Sequence, residues 1–236
     1  RFDINNYLID IMGFLFNKLE MNKAERRTFS IHTIYMILEG IVLGVLALNQ
    51  FVFIKSLNGT NYQLGFLFQF SALVFLFLIV INEFLKRVKN RKKLLRIVAI
   101  TTRLPLITLL FFPDNLADIL NFAYYHYIFL FLFLVYFSGN IFINPNINYL
   151  LKVNYSHVNF GRLYSYSTSV NKIVMLIITF AYGYLLDYNN FAFIYIIPVT
   201  AIFATMSVFI LSTIHYPEED MPIQKKSIFA SVKASV

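Results

Sequence analysis

Three charged side chains lie deep inside the apolar stretches of this sequence: Glu39, Arg103 and Lys172. At a rise of about 1.5 Å per residue, each lies about 13–14 Å from the predicted cytoplasmic end of its stretch, so all three share one depth. A charge in the middle of a bilayer costs at least about 2.5–3.5 kcal/mol on insertion scales. Opposite charges that meet across a helix bundle, or charges that line a watery cavity, lower this cost. The three residues therefore predict a polar site near the midplane of a membrane.

Polar side chains accompany two of these charges and also form a stripe of their own on a third predicted helix. At about 100° per residue, His32, Glu39 and Gln50 fall within about 40° of one another. The other two stripes consist of Asn140, Asn144 and Asn148 and of Ser165, Ser169, Lys172 and Thr179. The candidate substrate-binding or coupling residues are accordingly Glu39, Gln50, Asn140, Asn144 and Lys172.

Structural roles are equally open to these side chains. Glu39 can be a satisfied carboxylate paired with Lys172 or Arg103, instead of a group that handles a substrate or a proton. Arg103 is expected to be a structural charge, and the asparagines can form hydrogen bonds between helices, which stabilise membrane bundles modestly. The charges do not choose a substrate, because Lys172 beside amides suits an anionic or polyhydroxy solute and Glu39 suits a cation.

The elements that must position these residues are six apolar runs. A hydrocarbon core about 30 Å thick needs roughly 20 apolar helical residues to cross it. The predicted spans are 31–54, 63–83, 94–113, 124–151, 164–186 and 191–214. The chain is 58% hydrophobic and only 14% charged, whereas a soluble domain has about 25% charged residues. The predicted fold class is therefore an all-α membrane protein with six transmembrane helices.

Two spans contain residues with a backbone role. Gly40 and Gly44 form a Gly-x-x-x-Gly pattern in the first span, which predicts close packing against another helix. Pro145 lies among the asparagines of the fourth span, where its ring removes a backbone hydrogen bond and can kink the helix. Both features predict local helix geometry and not chemistry.

The distribution of basic residues predicts the orientation. If residue 1 is cytoplasmic, the outer loops hold one basic residue, Lys55, and three acidic ones, Asp114, Asp118 and Asp187. Nearly all other Lys and Arg residues then lie in inner loops, and by the positive-inside rule both termini are cytoplasmic. The net charge of +8 is explained by loops beside anionic lipid, not by a nucleic-acid partner. The expected location is the inner or plasma membrane.

The chain is predicted to have three parts. Residues 1–30 form a cytoplasmic amphipathic helix and a charged linker, with the helix lying in the membrane interface or packing on cytoplasmic loops. Residues 31–214 form the bundle, and residues 215–236 begin a cytoplasmic central linker. Because Arg1 stands where an initiator Met would be, we expect a fragment of a longer protein.

Three stretches carry a resemblance to a known family. Residues 57–65 (Leu-Asn-Gly-Thr-Asn-Tyr-Gln-Leu-Gly) precede the second span, and residues 85–95 (Leu-Lys-Arg-Val-Lys-Asn-Arg-Lys-Lys-Leu-Leu) join it to the third. Residues 159–167 (Asn-Phe-Gly-Arg-Leu-Tyr-Ser-Tyr-Ser) open the fifth span. Together with the polar tail after the sixth span, they resemble the N-terminal half of a major facilitator superfamily transporter.

The resemblance implies two three-helix repeats that form one half of a twelve-helix bundle, with the C-terminal six-helix half missing. It implies secondary active transport of a small solute or ion by alternating access, in a cavity lined mainly by helices one, two, four and five. The implied cytoplasmic gate loop has the candidate residues Arg87, Arg91, Lys92, Lys93 and Arg162. The sequence departs from the family signature at Asn82 and Lys86, where the family has Gly and Asp.

Other function classes have less support from the sequence. The leading alternative is a six-helix channel subunit or a non-transporting membrane scaffold. We do not expect an enzyme or a cofactor, because the sequence contains no Ser–His–Asp set, HExxH pattern or Gly-rich phosphate loop. The absence of cysteine excludes thiolate catalysis and Cys-ligated metals, and the four histidines are too dispersed for a metal site.

Overall fold

The computed structural model describes residues 21–85, 88, 90–122 and 124–215. The predicted amphipathic helix, Arg87 of the gate loop and the linker from residue 216 onward lie outside these residues. The described helices are, in order, α1 (Lys23–Leu46), α2 (Asn49–Lys55), α3 (Asn61–Leu76), α4 (Leu78–Leu85), α5 (Arg91–Arg103), the 3-10 helix η1 (Leu104–Phe111), α6 (Leu116–Asn121), α7 (Tyr124–Asn154), α8 (His157–Tyr188) and α9 (Phe193–Leu211).

Five helical stretches are long and apolar enough to cross a membrane. They are Lys23–Lys55, Arg91–Phe111, Tyr124–Asn154, His157–Tyr188 and Phe193–Leu211. All regular elements in the described part of the chain are helical. The prediction of an all-α protein is therefore confirmed for the described residues, and the five apolar stretches indicate a membrane-embedded protein.

The predicted second span, 63–83, is divided between two shorter helices. α3 ends at Leu76 and α4 begins at Leu78, with Phe77 in a turn between them. The Phe77 N–H donates to the Val74 carbonyl at 3.1 Å, a bond one residue tighter than in an α-helix. α3 has 16 residues, fewer than the roughly 20 needed to cross a bilayer. In the described residues, five long stretches and this interrupted pair stand where six uniform spans were predicted.

Two of the long stretches also change their winding. α1 ends at Leu46 and α2 begins at Asn49, and between them the Leu48 N–H donates to the Val45 carbonyl. In the third stretch, α5 passes into the 3-10 helix η1, which has Pro105 in its first turn. Proline has no N–H to donate and its ring crowds the preceding turn, so the α-helical ladder cannot continue unchanged through it.

α1 and α8 pack closely along most of their length. A Cβ atom at Gly40 would lie 2.8 Å from the Asn171 backbone oxygen, and one at Gly44 would lie 2.7 Å from the Ile178 Cβ. Neighbouring atoms would have to move to admit either one, because real Cβ contacts are longer. The packing role predicted for the Gly-x-x-x-Gly pattern is confirmed.

The apolar core has two clusters with a polar layer between them. One cluster includes Phe53 and Phe133, and the other includes Leu95 and Ile143. Each of α1, α5–η1, α7 and α9 has one part in the first cluster and another part in the second. The boundary between the two parts lies at the same level in all four. Glu39, Arg103 and Ser207 lie at that boundary and are buried. The fold therefore places polar groups at the middle of an otherwise apolar bundle.

Candidate functional site

A buried ion pair joins α1 to α5 between the two apolar clusters. Arg103 Nη1 donates to Glu39 Oε2 at 2.8 Å, and Arg103 Nη2 donates to Glu39 Oε1 at 3.1 Å. Arg103 is 1% exposed and Glu39 is 8% exposed. Two parallel bonds of this kind match the planar guanidinium to the carboxylate. Of the two partners that the sequence leaves open for Glu39, Lys172 and Arg103, it is Arg103 that bonds to both carboxylate oxygens.

Two further helices complete the surroundings of this pair. From α9, the Ser207 hydroxyl donates to Glu39 Oε2 at 3.0 Å, and the Ala204 carbonyl accepts from Arg103 Nη1 at 2.8 Å. From α7, the Tyr136 ring lies with its centroid 5.7 Å from Arg103 Cζ. A buried ion pair offsets its desolvation only when its remaining hydrogen-bonding groups are also satisfied. Arg103 is therefore held by hydrogen bonds to both α1 and α9.

A cavity of about 690 Å³ lies beside the ion pair. Its walls come from α1, the α3–α4 pair, α7 and α8. The polar residues that line it are Tyr35, Glu39, Asn82, Asn140, Asn144, Asn148, Tyr164, Thr168, Asn171 and Lys172. Four of the five candidate binding residues are therefore brought together: Glu39, Asn140, Asn144 and Lys172.

Gln50, the fifth candidate, is not among the lining residues. It was placed on the Glu39 face by assuming about 100° of rotation per residue along one continuous helix. The α-helix is interrupted between Leu46 and Asn49. A rotation of about 100° per residue therefore does not apply across this break. Gln50 lies on α2, half-buried, beyond the break.

Lys172 is exposed on α8 where that helix borders the cavity. Its Nζ lies 3.9 Å from the Met175 sulfur, one turn along the same helix. Within the described residues, no carboxylate lies close enough to Lys172 to form an ion pair. The positive charge of Lys172 is therefore not balanced by a neighbouring carboxylate.

The asparagines of α7 divide into two groups according to the face they occupy. Asn146 Nδ2 donates to the Phe142 carbonyl at 2.8 Å, so this amide is used within its own helix. On the cavity face, the amides of Asn140, Asn144 and Asn148 have no hydrogen bond to any described residue. Each neutral amide offers two N–H donors and one acceptor oxygen. The cavity wall therefore presents hydrogen-bonding groups that the described residues do not use.

His32 lies behind the cavity wall. It is fully buried, its Nδ1 lies 3.2 Å from the Tyr155 hydroxyl, and its ring stacks between Tyr35 and Tyr164. Burial, and to a smaller extent the charge of Glu25, raises the pKa of Tyr155 above its ordinary value. Tyr155 therefore keeps its proton and can donate to His32. This contact ties α1 to the turn that follows α7.

Polar contacts also connect both ends of the Lys23–Lys55 stretch, which contains α1 and α2, to α8 and the residue before it. At the predicted cytoplasmic end, Glu25 Oε1 accepts from the Ser156 backbone N–H at 2.8 Å. At the other end, Lys55 Nζ donates to Asp187 Oδ1 at 3.0 Å. Sequence reasoning missed Glu25, although the capping box formed by Asn22 and Glu25 is visible in the sequence as Asn-x-x-Glu before an apolar run.

The described members of the proposed gate loop do not share one environment. Arg91 is buried, and its Cζ lies 4.2 Å from the centroid of the Tyr149 ring on α7. Lys92 is half-buried, whereas Lys93 and Arg162 are exposed. The Asn90 side chain caps α5 by accepting from the Lys93 N–H at 2.9 Å. Arg91 therefore contributes to packing at this end of the bundle.

Comparison with known proteins gives no match to a protein-family model, a curated protein or a solved structure. A functional proposal has to rest on the cavity, its charges and the sequence pattern.

Proposed function

We propose that this chain is one six-helix half of a secondary active transporter of the major facilitator type, which moves a small solute by alternating access. One observation carries the proposal: a polar cavity near the predicted midplane, lined by α1, α3–α4, α7 and α8. In the order of the predicted spans these are helices one, two, four and five. The family resemblance places the same four helices around the substrate.

In the proposed topology, α3 and α4 together form the second of six crossings. Residues 61–85 make a run of about 25 residues, which at about 1.5 Å per residue is long enough for a bilayer despite the turn at Phe77. Six crossings return the chain to the side on which it started. With the basic loops inside, both ends are cytoplasmic, in the inner or plasma membrane.

The exposed side of the cavity supports the proposal that a second six-helix half completes the transporter. Lys172 and Asn144 are exposed there, and a lipid-facing charge at the midplane is costly. Water or another protein surface must therefore meet these groups. A further six-helix unit that encloses the cavity from this side would provide both a closed site and an alternating route to it.

The test uses the full-length gene product, purified and reconstituted in liposomes. Uptake of labelled gluconate, glucose, glucosamine, aspartate, serine and lysine is measured for saturation and for counterflow, in which solute loaded inside accelerates entry. We expect saturable uptake with counterflow for at least one solute. Flux without saturation or counterflow indicates a channel, and absence of saturable uptake across this set counts against transport.

A cavity variant connects any uptake to the proposed site. Asn144→Trp places a large ring in the cavity and is expected to abolish uptake while abundance in the membrane stays unchanged. Phe180→Trp is the matched control, because Phe180 lies on α8 with 72% of its surface exposed and does not line the cavity. Equal uptake by the two variants would show that this cavity is not the route.

A further inference from the structure

We infer that the cavity selects a small organic anion that also carries hydroxyl or amide groups, with Lys172 holding the negative charge. The inference deepens the proposed function and rests on it for the claim that the bound solute is transported. It follows from three features of the cavity: the charge of Glu39 is balanced, the charge of Lys172 is not balanced by a described residue, and three amides have no hydrogen bond to a described residue.

The negative charge of Glu39 is already balanced within the protein. Both of its carboxylate oxygens accept from Arg103, and one also accepts from Ser207. A cationic solute in the cavity would meet a carboxylate whose charge Arg103 already balances. Displacing Arg103, which is 1% exposed, would leave a buried charge without its partner, and this is strongly unfavourable. Glu39 therefore gives the cavity no net negative charge with which to attract a cation.

Lys172 is the remaining charged residue of the cavity wall in the described part of the chain. Because Glu39 is balanced by Arg103 and Lys172 has no carboxylate partner among the described residues, the wall that these residues form has one uncompensated positive charge. The ammonium group is a compact charge with three donors, and it suits a carboxylate or phosphate group. The electrostatic preference of the cavity is therefore for an anion.

The uncharged groups define the rest of the solute. The amides of Asn140, Asn144 and Asn148 face the cavity without hydrogen bonds to described residues, and the Thr168 hydroxyl is buried without a partner. Hydroxyl or amide groups on the solute could satisfy these donors and acceptors. A volume of about 690 Å³ lies within the range of about 300–1,000 Å³ typical of small-molecule sites.

The first experiment measures the sign of the cavity potential and does not need the natural solute. Residues 1–236 contain no cysteine, so Asn144→Cys gives a single thiol in the cavity wall once any cysteine elsewhere in the full-length protein is replaced by serine. Its reaction rates with the anionic 2-sulfonatoethyl methanethiosulfonate and the cationic 2-(trimethylammonium)ethyl methanethiosulfonate are compared in the full-length protein. Adding Lys172→Met should slow the anionic reagent and accelerate the cationic one, each by about fivefold. Adding Lys172→Arg should preserve the original ratio.

A matched control separates a local charge from the overall charge of the protein. Lys152→Met removes one positive charge from an exposed position near the end of α7 that does not line the cavity, and it should leave the ratio unchanged. If Lys172→Met changes the ratio no more than Lys152→Met does, the inference is overturned.

The lipid composition distinguishes a free solute from a lipid headgroup as the source of the anion. The ratio is measured in phosphatidylcholine vesicles with and without phosphatidylglycerol. An unchanged ratio supports a site open to a free anion. A ratio that falls to the Lys172→Met value only when phosphatidylglycerol is present would show that a headgroup occupies Lys172, and it would overturn the assignment to a free solute.

Uptake then separates this inference from the transport proposal. Among gluconate, glucose and glucosamine, which share a six-carbon polyhydroxy chain and differ in charge, we expect gluconate to compete best for saturable uptake and to lose this advantage in Lys172→Met. Saturable uptake of cations that is insensitive to Lys172→Met would overturn the inference while transport stands. A Lys172-dependent thiol ratio without any uptake would overturn transport while the anion-attracting cavity stands.

Discussion

Glu39 and Arg103, which are 64 positions apart in the chain, form a two-bond ion pair at the boundary between the two apolar clusters. The pair joins α1 to α5 and also contacts α7 and α9. The cavity, in contrast, is bordered by α1, α3–α4, α7 and α8. α1 and α7 therefore contribute to both, and Glu39 belongs both to the ion pair and to the wall of the cavity.

Loss of the Glu39 charge should destabilise the protein through Arg103. We expect Glu39→Gln to lower the free energy of unfolding by about 3–5 kcal/mol, because an unpaired buried charge remains. Combining Glu39→Gln with Arg103→Met should recover most of that loss. Thermal or denaturant unfolding in detergent, together with abundance in the membrane, provides the measurement.

Lys172→Met is the matched control for the ion pair, since it also removes a charge from the cavity wall but breaks no ion pair with a residue that the structure describes. Its free energy of unfolding should stay within about 0.5 kcal/mol of the natural protein. If the double variant at Glu39 and Arg103 is as unstable as the sum of its single variants, the two side chains are not energetically coupled.

The contact between α1 and α8 should tolerate no added methyl group at Gly44. A Cβ there would lie 2.7 Å from the Ile178 Cβ and 2.8 Å from the Met175 carbonyl oxygen. We expect Gly44→Ala to lower the free energy of unfolding by about 1–3 kcal/mol, the usual cost of overpacking. Gly65→Ala is the control, because no atom lies within 4 Å of its Cβ position. Equal stability of both variants would contradict the observed packing.

The predicted orientation can be tested with two equivalent cysteines. Asn90 and Asn115 are both exposed N-cap residues, at the starts of α5 and α6. An impermeant thiol reagent applied to intact cells should modify Asn115→Cys, and it should reach Asn90→Cys only after the membrane is permeabilised. The reverse pattern would invert the topology.

The two polar contacts at the ends of the Lys23–Lys55 stretch should differ in strength. Glu25 is 3% exposed and accepts from the backbone N–H groups of Ser156 and Asn22. We expect Glu25→Ala to cost about 1–3 kcal/mol, because buried donors lose their acceptor. Asp187→Ala breaks an exposed ion pair with Lys55 and should cost at most about 1 kcal/mol. Unfolding midpoints of the two variants decide the comparison, and a larger loss at Asp187 would reverse this ranking.

The cavity could be predicted where its residues lie within uninterrupted helices. Asn140 and Asn144 are on α7 and Lys172 is on α8, helices of 31 and 32 residues. Along such helices the rotation of about 100° per residue holds, so polar stripes identify the correct face. The same rule misplaced Gln50 because the helix is interrupted before it.

Other features depend on contacts that no local pattern reveals. The residues on both sides of Phe77 are apolar and include neither Gly nor Pro, so nothing in the composition marks the turn that divides the second predicted span. The choice of Arg103 over Lys172 as the partner of Glu39 depends on how α5 and α9 pack beside α1. Periodicity within one helix contains no information about that arrangement.

The 3-10 segment after Arg103 has a consequence for how the protein fits its membrane. Eight residues at about 2.0 Å per residue extend about 4 Å further than they would in an α-helix. The stretch from Arg91 to Phe111 has 21 residues, against 31 in α7, so it has little length to spare. The 3-10 segment therefore gives this short stretch a few ångströms of margin over a hydrocarbon core about 30 Å thick. Vesicles with longer acyl chains should therefore strain the third span before they strain α7 or α8.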